Sequence, residues 1–353
     1  MKKKIKIVLS LIFIIINFGC STTKEITKQQ ELIIYPKPPE VTRIQYLTSF
    51  STSSDIVPQQ SEFFESIIGK KEDRTIIKPY GISIYKGKIY ICDTMLGGLV
   101  VVDLNSSTFE YFIPKGLGEL KKPINCFIDK PGKLYIADAE RQQIVVFDKS
   151  GNYLNAFGLA EQIKPTDVFV EDNKIWVTDL MKHKIAIYNQ SDFSLITTFP
   201  KDDTDSLSRL FSPTNLFISE NEVYVSDFGA FNVKVYDKAG NYKRTVGSYG
   251  RNLGQFVRQK GIAVDKENNL YVVDAGFENV QIFNNKGQLL MFFGGSYKGP
   301  GDMWLPAKVI IDYDNLNYFQ KYVHESFDLK YLIFVTNQYG PSKINIYGFV
   351  ETK

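Results

Sequence analysis

The sequence predicts an all-β fold, a six-bladed β-propeller. Three observations predict it: a strand-borne motif that recurs six times, the division of each recurrence into four short strands, and a composition suited to strands. Among the 353 residues are 21 Tyr and 26 Phe, and 44% of the chain is hydrophobic. Aromatic and β-branched side chains fit a pleated, half-buried surface better than a helix. The same apolar fraction excludes a disordered chain.

The motif reads YICDT (90–94), YIADA (135–139), WVTDL (176–180), YVSDF (224–228), YVVDA (271–275) and FVTNQ (334–338). A second apolar strand follows each: LVVVD (99–103), IVVFD (144–148), IAIYN (185–189), VKVYD (233–237), VQIFN (280–284) and INIYG (344–348). The marking residues Asp93, Asp138, Asp179, Asp227 and Asp274 lie 45, 41, 48 and 47 apart, and a gap of 63 to Asn337 signals an insertion in the last unit. In the fifth unit the four strands are GIAVD (261–265), NLYVVDA (269–275), NVQIFN (279–284) and QLLMFFG (288–294). Turn-forming Lys266-Glu267-Asn268 separates the first strand from the second, and Asn285-Lys286-Gly287 separates the third from the fourth. Four short antiparallel strands in a repeat of this length make a propeller blade. The spacing predicts blades starting near residues 79, 123, 165, 213, 259 and 306.

Along the chain, the N-terminus reads as an address. Lys2, Lys3, Lys4 and Lys6 precede an apolar run from Ile7 to Ile16, with the length of a signal-peptide core and too short to span a bilayer comfortably. Without those four lysines the formal charge of +3 becomes −1, which excludes a general nucleic-acid binder. Gly19-Cys20 after the apolar run resembles a bacterial lipobox, in which the cysteine becomes the lipidated N-terminus. That implies a signal peptide over 1–19 and a membrane anchor at Cys20. Ser21 at the next position resembles outer-membrane sorting, so an outer-membrane or periplasm-facing anchorage in the cell envelope is expected. Residues 20–40, with Tyr35-Pro36-Lys37-Pro38-Pro39, read as an extended tether arriving at the lower end of the propeller.

The last blade supplies three strands before the chain ends at Lys353. Residues 41–51, with Tyr46-Leu47-Thr48-Ser49-Phe50-Ser51 matching Tyr153 to Gly158 in type, are expected to supply the fourth and close a monomeric ring. Closure leaves no free inner edge. In the insertion, Leu316, Phe319, Tyr322, Val323 and Phe327 recur at roughly helical spacing, predicting a helix packed beneath blade six or a partner contact.

These units resemble the NHL repeat, with its Pro, apolar strand, "lyvaD", "tgnhrv" and "vfd". Asp179 to Ile185 keeps His183 in the family's place. The resemblance recurs over residues 79–349 and extends to a bacterial NHL-repeat lipoprotein subfamily, through Pro38-Pro39, Arg43–Leu47, Lys78–Ile82, Tyr318–Tyr322 and Leu332–Phe349. It implies NHL-type blades and no established activity.

The repeated Asp residues read as turn carboxylates that accept backbone N–H groups, and His183 as a repeat position. His324, in the insertion, has no obvious partner. At the third position of each inner strand, Gly81 and Gly261 keep the family's glycine, while Asn125, Asp167, Asn215 and Lys308 replace it. These four are candidate ligand-binding residues at the channel mouth. One carboxylate with two amides is a weak cation site, and Lys308 would repel a cation and either pair with Asp167 or bind an anionic ligand group, so a small polar or anionic ligand, or water, is expected there in place of calcium. No metal or cofactor is expected. On the upper loops, Phe228, Phe231, Phe277, Trp304 and Tyr339, with Met95, Leu96 and Met181, are candidate partner-binding residues. Cys92 and Cys126 read as buried residues or a bridge between neighbouring strands.

No nucleophile elbow, nucleotide-binding glycine fingerprint or Cys–His pairing occurs. The expected function is that of a membrane-tethered, non-catalytic binding or scaffold lipoprotein presenting loops to a protein, peptide or glycan. Two alternatives stand beside it: a lactonase-like or other six-bladed propeller enzyme, and an assembly factor for envelope redox or transport complexes.

Overall fold

The computed structural model describes residues 32–58, 73–201 and 206–353. The expected signal segment over 1–19, Cys20 and the first portion of the expected tether lie outside the described residues.

Six antiparallel sheets follow one another along the chain. Their innermost strands are Pro79–Tyr85, Pro123–Ile128, Pro165–Glu171, Pro213–Ile218, Gln259–Val264 and Pro306–Asp312. The first five sheets are four-stranded meanders, each wholly consecutive in the chain. Proline opens five inner strands, where its fixed φ and missing donor suit the first residue of a strand. The all-β six-bladed propeller is therefore the observed fold.

The sixth sheet combines both termini. Strands Pro306–Asp312, Phe327–Asn337 and Ile344–Thr352 continue outward into Ile44–Phe50. Ile44 pairs with Phe349 and Phe50 with Ile344, antiparallel throughout. Ile44, Tyr46, Leu47 and Phe50 are buried, split between two hydrophobic clusters that also hold residues of blades five, six and one. The ring is thus closed by non-covalent pairing of residues some 300 positions apart.

One element departs from the sequence reading. Ile34–Tyr35, assigned to the tether, adds a fifth strand to blade six by pairing with Gln45 and Ile44. The Tyr35 hydroxyl donates to the Gly301 carbonyl at 3.2 Å. A hairpin replaces the expected extended segment because Pro36 to Pro39 turn the chain back on the closing strand. Being antiparallel to that strand, Ile34–Tyr35 enters from the upper end, not the lower one. The upper end is the one carrying the blade-to-blade connections.

The insertion also differs. Leu316–Tyr318 and Gln320–Tyr322 are two 3₁₀ turns, not an α-helix. Phe319 is buried against Phe334, while Leu316, Tyr318, Tyr322 and Val323 pack on the cluster shared by blades six and one. Gln45 clamps the segment, donating to the Tyr322 carbonyl at 2.8 Å and accepting from the His324 N–H at 3.1 Å. His324 Nδ1 has a partner in Ser326 Oγ at 2.8 Å.

Phe50→Ala should destabilise the fold by about 3–5 kcal/mol, the usual cost of truncating a buried Phe. That is a large share of a typical net stability of about 5–15 kcal/mol. Deleting residues 33–51 should abolish cooperative thermal unfolding; an unchanged melting curve would refute closure by this strand.

Candidate functional site

Six inner strands converge on one axis, so space there is scarce. Each has a β-bulge between its first residue and its third or fourth, which re-aims the backbone where the strands crowd together. At the third position, a Cβ on Gly81 would lie 2.5 Å from Asn125 Cα, and one on Gly261 would lie 2.5 Å from Lys308 Cα. Glycine is required in blades one and five because the next blade's backbone occupies that space.

The other four third-position residues knit the ring together. Lys308 of blade six reaches across the axis to Asp167 of blade three, with Nζ 2.5 Å from Oδ2. Asn215 Nδ2 and the Leu216 N–H of blade four donate to the same oxygen at 3.2 and 3.1 Å. Asp167 Oδ1 accepts from the Val168 N–H at 3.0 Å. Asn125 donates to the Thr166 carbonyl of blade three at 2.7 Å. All four residues are buried. These side chains form a plug, because blades three and six lie opposite each other and their charges meet on the axis, the pairing of Lys308 with Asp167 that the sequence offered. The carboxylate of Asp167 is fully engaged, whereas Asn125 Oδ1 and Asn215 Oδ1 have no protein donor.

The repeated aspartates have structural roles. Asp138 accepts from the N–H groups of Lys121 and Lys122 before the blade and of Glu140 and Arg141 in the turn after it, at 2.7–3.2 Å. Asp93 and Asp274 do the same in their blades. Four residues after each Asp, the backbone is left-handed: Gly97, Gln142, His183, Phe231 and Glu278 have φ of 54–64°. His183 thus occupies a turn-geometry position and is exposed. Among the described residues, no three His, Cys, Asp or Glu side chains are placed to hold a metal.

The upper face is apolar and cationic. Each blade-to-blade connection exposes a large apolar residue: Ile77, Leu117, Leu159, Phe211, Leu253 and Trp304. Met95, Met181 and Tyr339 add to them from the turns between second and third strands. Of the aromatic candidates, Trp304 and Tyr339 are 48% and 46% exposed, whereas Phe228, Phe231 and Phe277 are half-buried. Phe231 packs edge-on against Tyr249, at 4.8 Å. Trp304 stacks on Tyr297, and Lys78 lies over the Tyr339 ring. The lower turns are polar, with Val41 the exception among the described residues. Ile77, Leu117, Leu159, Phe211 and Leu253 escaped the sequence reading, because an apolar residue in a long connection looks the same whether it tucks between blades or faces solvent.

Above the plug, Lys260 lies over the ring of Tyr80, 5.4 Å from its centroid. Burial, with Arg258 and Lys78 nearby, pushes the Lys260 ammonium down to about 8. Burial and the Asp167 charge push the Tyr80 hydroxyl up. Cys92 and Cys126 are buried free thiols on adjacent blades, and burial followed by the Cys126 contact raises the Cys92 thiol.

Two outcomes follow from this geometry. Removing one partner of the buried pair, as in Asp167→Ala, should cost about 3–5 kcal/mol in chemical denaturation, and the double change Asp167→Leu with Lys308→Met should recover most of it. Lys260 binds its proton less well folded than unfolded, so stability rises with pH between about 8 and the ordinary value of 10.5. Lys260→Met should therefore raise the melting temperature at pH 7, and the gap from the parent should close by about pH 10.5.

Comparisons with known proteins agree with the architecture. Residues 119–212 match DUF5128, a family described as a 6-bladed beta-propeller. No curated protein matches the chain. A structural-genomics protein of unknown function from Bacteroides thetaiotaomicron superposes with a TM-score of 0.61 at 14% identity, covering 88% of this chain and 76% of that one. A catalytically inactive virginiamycin B lyase from Staphylococcus aureus, solved with quinupristin, gives 0.53 at 15% identity over 77% and 95% of the two chains. A streptogramin B lyase gives 0.53 at 14% identity over 76% and 82%. At these identities the likeness is one of fold, and the chain is similar to a six-bladed β-propeller family and to propellers of both known and unknown activity.

Proposed function

We propose that this chain is a membrane-tethered, non-catalytic binding protein of the bacterial cell envelope whose upper face receives a protein partner. The observation that carries the reading is the difference between the two faces. All six connections between blades project an exposed apolar side chain on one end, while the opposite end has mostly polar turns, and the apolar side chains of its 313–326 insertion pack against blades six and one. Exposed apolar side chains gathered on one face mark interaction sites in soluble domains. Aromatic, Met and Arg side chains are the types enriched at protein interfaces.

Charge supports the same face. Lys78, Lys122, Lys164 and Arg258 stand immediately before the inner strands of blades one, two, three and five. Four equivalent cations around one axis suit a partner with an acidic surface. The NHL-type repeat and the lipobox-like Gly19-Cys20 support a lipoprotein. In sequence, 12 residues lie between Cys20 and Ile33. Such a leash reaches at most roughly 40 Å. An enzymatic reading has less to rest on, since the one carboxylate among the channel candidates is consumed by Lys308, Asn215 and backbone N–H groups.

Cys20→Ser should move the protein from the membrane fraction to the soluble envelope fraction; unchanged detergent partitioning would sink the anchor. The triple variant Met95→Ser, Trp304→Ala and Tyr339→Ala should lose most cross-linking to co-purifying envelope proteins while keeping the parent melting temperature. Retained cross-linking would remove the upper face from the reading.

A further inference from the structure

Below the Asp167–Lys308 plug the channel stays open as a cavity of about 280 Å³. This volume lies near the lower end of ordinary small-molecule sites, about 300–1,000 Å³. Its wall is set by the fifth position of each inner strand. Blades two, three and four place Phe127, Phe169 and Phe217 there, while blades one, five and six place Ser83, Ala263 and Ile310. The three rings form a continuous fan, with centroids 4.5 Å apart between Phe127 and Phe169 and 5.4 Å apart between Phe169 and Phe217. All three rings are half-buried.

The asymmetry is the informative feature. A repeat protein could fill its axis with similar side chains from every blade, as small barrels do. Here one half of the wall is aromatic and the opposite half carries the smaller, non-aromatic side chains of Ser83, Ala263 and Ile310. The result is a slot with aromatic rings along one side and polar groups, Ser83, Asp167 and Lys308, within reach of its occupant. At its inner end Lys308 and Asp167 line the same cavity. An ammonium has three donors, and Lys308 Nζ uses one on Asp167. Asp167 already neutralises the lysine, so a second carboxylate would meet its repulsion, whereas a neutral oxygen acceptor would not.

We propose that this lower channel is a binding site for a small, neutral, planar aromatic molecule carrying a hydroxyl or carbonyl oxygen. One of the tilted rings of Phe127, Phe169 and Phe217 stacks on its face while the others meet its edge, the space beside Ser83 and Ala263 admits its body, and Lys308 donates to its oxygen. The site is separate from the upper face, so it stands whether or not a protein docks there.

The test is isothermal titration of the protein with 1-naphthol, 1-naphthoate and cyclohexanol. The expected result is 1:1 binding of 1-naphthol, with naphthoate and cyclohexanol each weaker by about tenfold or more. Ser83→Leu and, separately, Ile310→Phe fill the slot from two different blades. Each should weaken 1-naphthol by about tenfold or more while the melting temperature holds or rises. Phe169→Ala should weaken it as well. No binding of 1-naphthol at millimolar concentration would overturn the proposal, and so would binding that survives both filling substitutions in folded protein. Naphthoate binding as tightly as naphthol would overturn the assignment of a neutral ligand.

Discussion

Everything in this molecule depends on a strand that arrives from the wrong end of the chain. Blade six supplies its first three strands from residues 306–352 and takes the next from Ile44–Phe50. Without it, Ile344–Thr352 would present an unpaired edge, and the junction between blades six and one would lose its outer packing. The register of Ile44 opposite Phe349 is therefore a condition for the ring, and the ring is a condition for the channel and for both faces. The added Ile34–Tyr35 strand covers the outer edge of the closing strand in turn.

Ring closure creates a second constraint, the crowding of six backbones around one axis. Two blades meet it with glycine and four with polar side chains that bond to a neighbour or across the channel. The Asp167–Lys308 pair is the one that spans the diameter. Buried pairs of this kind add little stability over apolar packing, yet leave a costly unpaired charge when one partner is lost. Their effect here is positional: the pair divides the axis into an upper end, where Lys260 lies over Tyr80, and a lower slot walled by three phenylalanines.

The meander topology sorts the loops into two sets, and the two sets differ in chemistry. Connections between blades are long and carry exposed apolar tips. Apart from the insertion over 313–326 in blade six, the turns at the other end are short, rich in Gly, Asn, Asp and Lys, and serve chiefly to reverse the strand. Asp-bearing turns such as Asp148 with Asn152 and Asp237 with Asn241 close on their own backbone. Side chains that the fold does not need are gathered on the upper set, which is where function on a propeller can change without cost to the ring.

The sequence by itself determined the blade count, the strand pattern and the use of an N-terminal strand to close the ring. These follow from local periodicity: a strand alternates every two residues, a turn needs particular residues, and the same Asp recurs because each turn has the same N–H groups to satisfy. The pairing of Lys308 with Asp167 was also legible as one of two outcomes, since blade number alone places them opposite each other. What only the tertiary structure decided was where side chains end up when symmetry does not say. The turn back at Pro36 to Pro39 that makes a fifth strand, the 3₁₀ turns in place of a helix at 316–322, and the half-burial of Phe228, Phe231 and Phe277 depend on distant contacts. The slot between Phe217 and Ser83 depends on the same kind of information. It exists because residues from separate blades, each ordinary in its own strand, face one another across an axis that no local stretch of sequence contains.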